Sequence, residues 1–291
     1  KMNIGIIGVG NMGRNHLRVC KKLEDTLPDF KVSAIYDPGV KEYSDKKKFL
    51  NNTSNMDGVI VATPSTTHVD ICLELFEMNN NLKILVEKPV DDNLNKAEHL
   101  IPHEKNITVG HIERFNPAVK KLKSLIQTKA ITGINAIRTK RLNHTPSRSS
   151  NYVNLDLLVH DVDVASFLVD CKLKTKNIIK NQTNRDGVVD HSILVGTFNN
   201  YQQTALMCEA SWSEPEKIRT LELVCNEGKY CLDYVKQSLV HISFTGQKQD
   251  ITIVKSEPLY EELVHFVKFI NNEVSSGCTV QDAITAVREV S

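Results

Sequence analysis

Short apolar runs alternate with helix-patterned segments along the first third of the chain. Residues 3–7, 31–36, 58–62, 82–86 and 107–109 are short, mostly apolar runs that read as strands. Between them, segments 11–23, 68–78 and 93–101 carry helical patterns, and the Lys-rich segment 41–48 suits an exposed helix. Strands alternating with helices predict a parallel, doubly wound sheet. The rhythm changes after about Asn116. Beyond a helix at 117–127, strand-like runs follow one another at 134–142, 178–182, 188–198, 203–212, 219–225, 228–234 and 239–244. Turns such as Asn199-Asn200 and Asn226-Glu227-Gly228 separate them, which predicts a large, mostly antiparallel sheet. One helix interrupts at 154–169, and two more, 258–275 and from 280 onward, cover a face or return towards the first domain. The expectation is an α/β chain with a Rossmann-type domain at 1–116 and a second α/β domain at 117–291.

Composition narrows the partners. The chain has 291 residues, 41% hydrophobic and 24% charged, enough for two domains. Thirty-six basic side chains face thirty-five acidic ones, leaving no overall field for nucleic acid or an anionic membrane. Seven Cys without a CxxC pair fit a reducing compartment better than a disulfide framework or a zinc site. No apolar run approaches the roughly 20 residues that span a bilayer. These features predict a soluble, cytoplasmic protein.

The chemistry begins where the first strand ends. Gly8-Val9-Gly10-Asn11-Met12-Gly13 lies between a strand and a helix, the context in which GxGxxG signals a dinucleotide clamp. Gly8 permits the tight turn, Gly10 lets backbone approach a pyrophosphate, and Gly13 allows the helix to pack on the strand. Asn11 and Met12 open a helix whose N-terminus favours phosphate charge. The second strand ends in Asp37, about twenty residues on, where a carboxylate accepts from ribose hydroxyls. A 2′-phosphate would meet like charge there, and Pro38-Gly39 brings no neighbouring Arg, so NAD is expected and NADP disfavoured. Ala62, Thr63 and Pro64 end the third strand at the same sheet edge, and line the cofactor groove, cap the following helix, or do both. His68, on that helix, reads as structural rather than catalytic.

The fourth strand ends in Glu87-Lys88-Pro89, placing an ammonium at the carboxyl edge of the sheet, where such sheets bind ligands. Lys88 there can stabilise the oxygen charge that develops as hydride leaves a carbinol carbon. Taken alone, an exposed surface lysine explains it as well. In the interrupting helix, Asp156 and His160 are four residues apart and share a face. Leu157, Leu158, Val159, Val162 and Val164 make that helix too apolar to be fully exposed. His160 is then either a general base oriented by Asp156 or a satisfied core histidine, with Asp161 and Asp163 solvated. No further His or Cys pattern completes a metal-ligand set. Arg114 and Asn116 follow the last strand of the first domain and are placed to face nicotinamide or substrate. Arg138, Lys140, Arg141 and Arg148 crowd the strand and loop before the helix, and form either a diphosphate site or a solvated basic face.

Taken together, Gly8 to Gly13, Asp37, Ala62-Thr63-Pro64 to His68, Glu87-Lys88-Pro89 and Asp156 to His160 resemble the Gfo/Idh/MocA (glucose–fructose oxidoreductase, inositol dehydrogenase) family across essentially the whole chain. The resemblance implies a Rossmann domain followed by an α/β domain with an open sheet used for homo-oligomerisation as a dimer or tetramer. It also implies NAD(P)-dependent chemistry on sugars and cyclitols. Lys88, Asp156 and His160 match the family's catalytic positions, and Glu87 and His68 fall in its cofactor-side motifs. Val153-Asn154-Leu155 stand where many relatives have glycines. Val109-Gly110-His111-Ile112-Glu113-Arg114-Phe115-Asn116-Pro117, paired with His160-Asp161-Val162-Asp163, is similar to members acting like UDP-N-acetylglucosamine 3-dehydrogenases. The leading expectation is oxidation of a secondary sugar hydroxyl, with C3 of UDP-N-acetylglucosamine the specific case. A free cyclitol or hexose dehydrogenase and a non-catalytic NAD(P)-sensing regulator are the alternatives.

Overall fold

The computed structural model describes residues 1–144, 152–182, 187–200 and 203–291. Two compact units emerge. One comprises Lys1–Ile112 together with Leu259–Ile284, the other Glu113–Pro258 together with Thr285–Ser291. The helix after the large sheet belongs to the first unit, one of the two placements expected of it.

In the first unit, strands β1 (Met2–Ile7), β2 (Phe30–Tyr36), β3 (Gly58–Val61), β4 (Lys83–Glu87) and β5 (Ile107–Gly110) form a wholly parallel sheet in the order β2-β1-β3-β4-β5. Helices α1 (Asn11–Thr26), α2 (Lys46–Asn51), α3 (His68–Met78) and α4 (Leu94–Ala97) provide the crossovers. The chain after α4 continues as a 3₁₀ segment through Asn106 rather than as the expected helix to 101, and Pro102 sits inside it without an N–H to donate. The Lys-rich stretch divides into a 3₁₀ turn at Lys41–Tyr43 and α2, which Asp45 caps by accepting from Lys48 N–H at 2.8 Å.

Two apolar layers enclose this sheet. Val59, Val61, Ile84, Val86 and Val109 meet Val69, Cys72, Leu75 and Phe76 of α3 on one side. Ile4, Ile6, Ile60 and Leu85 meet Val19, Cys20 and Leu23 of α1 on the other, where Leu263, Phe266 and Phe269 of α7 (Pro258–Ile270) join them. Gly58 makes room for α7, since a Cβ there would lie 2.7 Å from Ile270 Cδ1. The helix ends at Ile270, short of the expected 275, and α8 (Val280–Val290) follows.

The second unit carries an eight-stranded sheet in the order β13-β12-β11-β10-β6-β9-β8-β7. Its strands are β6 (Ala136–His144), β7 (Leu173–Asn181), β8 (His191–Phe198), β9 (Ala205–Ser211), β10 (Ser213–Cys225), β11 (Gly228–Asp233), β12 (Ser238–Ile242) and β13 (Lys248–Ile251). All neighbours are antiparallel except β6 and β9. The polar edge strand β13 was not anticipated. Helix α5 (Pro117–Gln127) has Asn116 as N-cap and Pro117 at its first position. The expected helix 154–169 opens instead with a π-helical turn, Asn154–Leu158, before α6 (Val159–Val169). Such turns recur at functional sites.

Candidate active site

A cleft of about 790 Å³ opens at the carboxyl edge of the parallel sheet. It lies where strand order reverses between β1 and β3, the switch point at which open parallel sheets bind ligands. Gly8, Gly10, Asn11, Met12, Asp37, Ala62, Thr63 and Pro64 line it. The three glycines have three separate reasons. Gly8 sits at φ +89°, and a Cβ there would be 2.6 Å from Ala62 O. A Cβ on Gly13 would stand 1.9 Å from Gly8 O, so only hydrogen lets α1 lie this close to the turn. A Cβ on Gly10 would meet nothing within 4 Å, leaving bare backbone open to the cleft beside an α1 start without acidic side chains. These features fit a dinucleotide whose pyrophosphate rests on the turn and helix N-terminus.

Asp37 is fixed before any ligand arrives. Its Oδ2 accepts from Val9 N–H at 2.7 Å and its Oδ1 from Gly39 N–H at 2.8 Å. A cation of this cleft escaped the sequence reading. Lys46 also lines it, paired with Glu74 at 2.8 Å, so a cation stands near the adenosine end but its charge is already matched. Its only signal in the sequence was the Lys-rich run.

The remaining cofactor-side residues brace the cleft. His68 is buried, with Nδ1 3.0 Å from Pro89 O and Nε2 2.8 Å from Thr63 O, joining two loops of the same sheet edge. Glu87 does not reach the cleft wall; it turns inward, buried, to His16 Nε2 at 2.6 Å. Lys88 is half-buried just beyond β4.

In the second unit, the π turn sets Asp156 half-buried, its Oδ2 accepting from Trp212 Nε1–H at 3.1 Å. His160 is buried one turn on. Asp161 and Asp163, solvated in one of the two readings of the sequence, are buried and ion-paired. Arg141 donates to Asp161 Oδ1 at 3.0 Å and to Glu113 Oε1 at 2.8 Å, and its guanidinium lies 4.9 Å from the centre of the Tyr234 ring. Burial pushes the Arg141 pKa down, but the charges of Asp161 and Glu113 more than reverse this and keep the guanidinium charged. Arg114 grips Asp163 with Nε at 2.9 Å and Nη2 at 2.7 Å. At the other end of α6, Lys123 donates to Phe167 O and to Asp170 Oδ2, both at 2.6 Å, supplying a cation where the helix dipole favours one.

These contacts correct the proposed substrate residues. Arg141 is 1% exposed and occupied by two carboxylates, and Arg114 is 8% exposed and bidentate on Asp163. Asn116 caps α5 by accepting from Ala118 N–H at 3.1 Å and donates to Tyr234 O at 3.1 Å. Arg138 is exposed and points, with Lys140, to the face of β6 opposite Arg141, pairing with Glu222 at 3.7 Å. Alternation along one strand therefore splits the apparent basic cluster across two faces. Arg148 lies outside the described residues.

The parallel sheet, its switch-point cleft and the glycine turn define a dinucleotide-binding Rossmann fold. Residues 2–110 match a family model described as "Oxidoreductase family, NAD-binding Rossmann fold", that of the Gfo/Idh/MocA proteins. That match assigns the stretch holding the five-stranded parallel sheet to an NAD-binding Rossmann fold. Inositol 2-dehydrogenase of Mycolicibacterium smegmatis is 27% identical over 67% of this chain and 61% of its own length. UDP-N-acetylglucosamine 3-dehydrogenase GnnA from Acidithiobacillus ferrooxidans shares the fold at TM-score 0.86 and 19% identity, covering 99% of this chain and 95% of that one. A scyllo-inositol dehydrogenase from Lactobacillus casei, solved with NAD(H) and scyllo-inositol, does so at TM-score 0.79 and 18% identity over 100% and 95%. Among the described residues, no helix is long and apolar enough to cross a membrane.

Proposed function

We propose that this chain oxidises a secondary hydroxyl of a nucleotide sugar to a ketone, with C3 of UDP-N-acetylglucosamine as the first candidate. The switch-point cleft carries this proposal, because open backbone at Gly10 and a prefixed Asp37 suit the pyrophosphate and ribose of NAD. NAD, when bound, accepts the hydride. His160 takes the hydroxyl proton, and Asp156, held by Trp212, orients the imidazole or grips the adjacent hydroxyl. The Lys88 ammonium stabilises the charge growing on the substrate oxygen. Similarity of the 109–117 and 160–163 segments to UDP-N-acetylglucosamine 3-dehydrogenase-like members supports the nucleotide sugar.

A second reading, a free cyclitol or hexose, is favoured by one specific observation: Arg138 and Arg141 do not converge, so they supply no diphosphate site. A panel of UDP-sugars and free sugars with NAD, followed by absorbance of the reduced nicotinamide, separates the two. Turnover with UDP-N-acetylglucosamine but not with inositols or hexoses supports the first, and the converse supports the second. Failure with every sugar would point to an NAD-sensing regulator. Lys88→Met should abolish turnover while NAD still binds; undiminished turnover removes Lys88 from the mechanism.

A further inference from the structure

Next to Lys88 the first unit buries a group of ionisable side chains that the proposed reaction does not use. His16 from α1, Glu87 at the end of β4 and Glu262 from α7 converge, with a nitrogen or oxygen of each within 4.8 Å of the others. They are 0%, 8% and 2% exposed, respectively. Gly110 on the neighbouring strand makes space for Glu87, since a Cβ there would lie 3.2 Å from Glu87 Oε2. Glu87 is tied at both oxygens, Oε1 to His16 Nε2 at 2.6 Å and Oε2 to the Lys88 N–H at 3.3 Å. Glu262 differs: both its carboxyl oxygens are enclosed without a hydrogen-bond partner among the described residues.

A buried carboxylate without a partner is costly, and more so beside a second anion. Burial pushes the Glu87 carboxyl up, but the His16 hydrogen bond and the charges of His16, Lys88 and His68 outweigh it and hold Glu87 below the usual carboxylate range. Glu262 goes the other way, driven well above that range first by burial and then by the charge of Glu87. The charged or titratable groups acting on Glu87 are His16 on α1, Lys88 beyond β4 and His68 on α3, and the one acting on Glu262 is Glu87 itself. A metal is the competing explanation, and one distance weighs against it. Bonds of about 2.0–2.1 Å to one tetrahedral ion would hold the nitrogen and oxygen roughly 3.3 Å apart. At 2.6 Å, a proton fills the space between His16 and Glu87.

We propose that Glu262 is a positioning residue for Lys88: as an uncharged carboxylic acid it closes the buried His16–Glu87 pair and so fixes the Glu87-Lys88 peptide at the sheet edge. Its role rests on the one proposed for Lys88. An ionised Glu262 would compete for His16 and repel Glu87, and a truncated one would leave Glu87 room to turn; either displaces the peptide that carries the ammonium.

The first test uses apo protein, melted between about pH 5 and pH 9, comparing wild type with the isosteric, permanently neutral Glu262→Gln. A raised carboxyl contributes its stability in full below the ordinary glutamate value and loses it as pH climbs through the raised value. Wild type should therefore fall progressively below Glu262→Gln as pH rises, and parallel curves overturn the proposal. A Tm rise on adding zinc chloride alone, seen in wild type and absent in Glu262→Gln, would also overturn it, in favour of a metal site. In turnover, Glu262→Ala should lower kcat about tenfold or more with a smaller change in the KM for NAD, and Glu262→Gln should recover most of the loss. Wild-type kcat in Glu262→Ala refutes positioning. Undiminished turnover in Lys88→Met would instead defeat the role of Lys88 and this dependent one, while the melting comparison still decides the protonation of Glu262 separately.

Discussion

Gly10 and Gly13 stand three residues apart in one turn, yet the structure separates what each does. An added methyl at Gly13 would have to sit 1.9 Å from Gly8 O and 2.7 Å from Gly8 C, both backbone atoms that no rotamer change can move. Relieving that overlap displaces α1 from the sheet, an overpacking cost of about 3 kcal/mol or more. At roughly 2 °C per kcal/mol for a chain of this size, Gly13→Ala should lose about 6 °C in Tm. Gly10 has φ −67°, which alanine adopts freely, and its methyl would meet nothing within 4 Å. The weaker N-cap and the smaller loss of chain entropy roughly cancel, so Gly10→Ala should change stability by no more than about 0.5 kcal/mol. Its methyl would, however, occupy the space a pyrophosphate needs against the helix N-terminus. Losing one charge-assisted hydrogen bond there costs about 2–3 kcal/mol, or 30- to 150-fold in Kd. Thermal unfolding of the apo protein and NAD titration by calorimetry give the two numbers independently. If Gly10→Ala melts like Gly13→Ala, or binds NAD as wild type does, the cleft does not hold the pyrophosphate.

Arg141→Met should destabilise the protein by about 3–5 kcal/mol, because Asp161 and Glu113 are left as uncompensated charges, while Arg138→Ala should cost under about 1 kcal/mol. A stable Arg141→Met with a raised KM for a nucleotide sugar would instead return Arg141 to substrate binding. Asp37→Ala should narrow the preference for NAD over NADP about tenfold or more by removing the charge a 2′-phosphate would meet, although Lys46 remains matched by Glu74. It also releases two backbone N–H groups, so the ratio of the two affinities is the informative measurement, and an unchanged ratio contradicts the ribose role. Thiol titration under native conditions should modify only Cys171 and Cys231, which are partly exposed, with the other five reacting after unfolding. Burial, aided by Glu24, holds the Cys20 thiol up at about 12, so rapid native labelling there would show the α1 face is not packed as described.

How much of this was legible in the sequence depends on how far apart the interacting residues lie. The strands of the first unit, the glycine turn and Asp37 are local signals, set by apolar runs and by the backbone conformation one turn demands. The apolar stripe at 258–275 predicted a helix but could not choose its sheet, since Leu263, Phe266 and Phe269 join β1 and β3 residues more than two hundred positions earlier. The π turn at Asn154–Leu158 has no local pattern to announce it. The acids of α6 looked like a solvated charge run because their partners, Arg141 and Arg114, lie 20 and 49 positions away.

The misplaced arginines carry a consequence for the chemistry. Strand alternation could have separated Arg138 and Lys140 from Arg141, yet counting positive charges along the chain grouped them. Arg141 and Arg114 instead hold α6 at Asp161 and Asp163, on either side of Val162 and immediately after His160. Lys123 holds the same helix at its carboxyl end. Substituting either arginine would therefore move the candidate base without touching substrate, producing a kinetic defect that imitates lost substrate binding. Discriminating the two needs stability measured alongside kinetics: displacement of α6 lowers Tm and kcat together, whereas a lost substrate contact raises KM in a protein that melts normally.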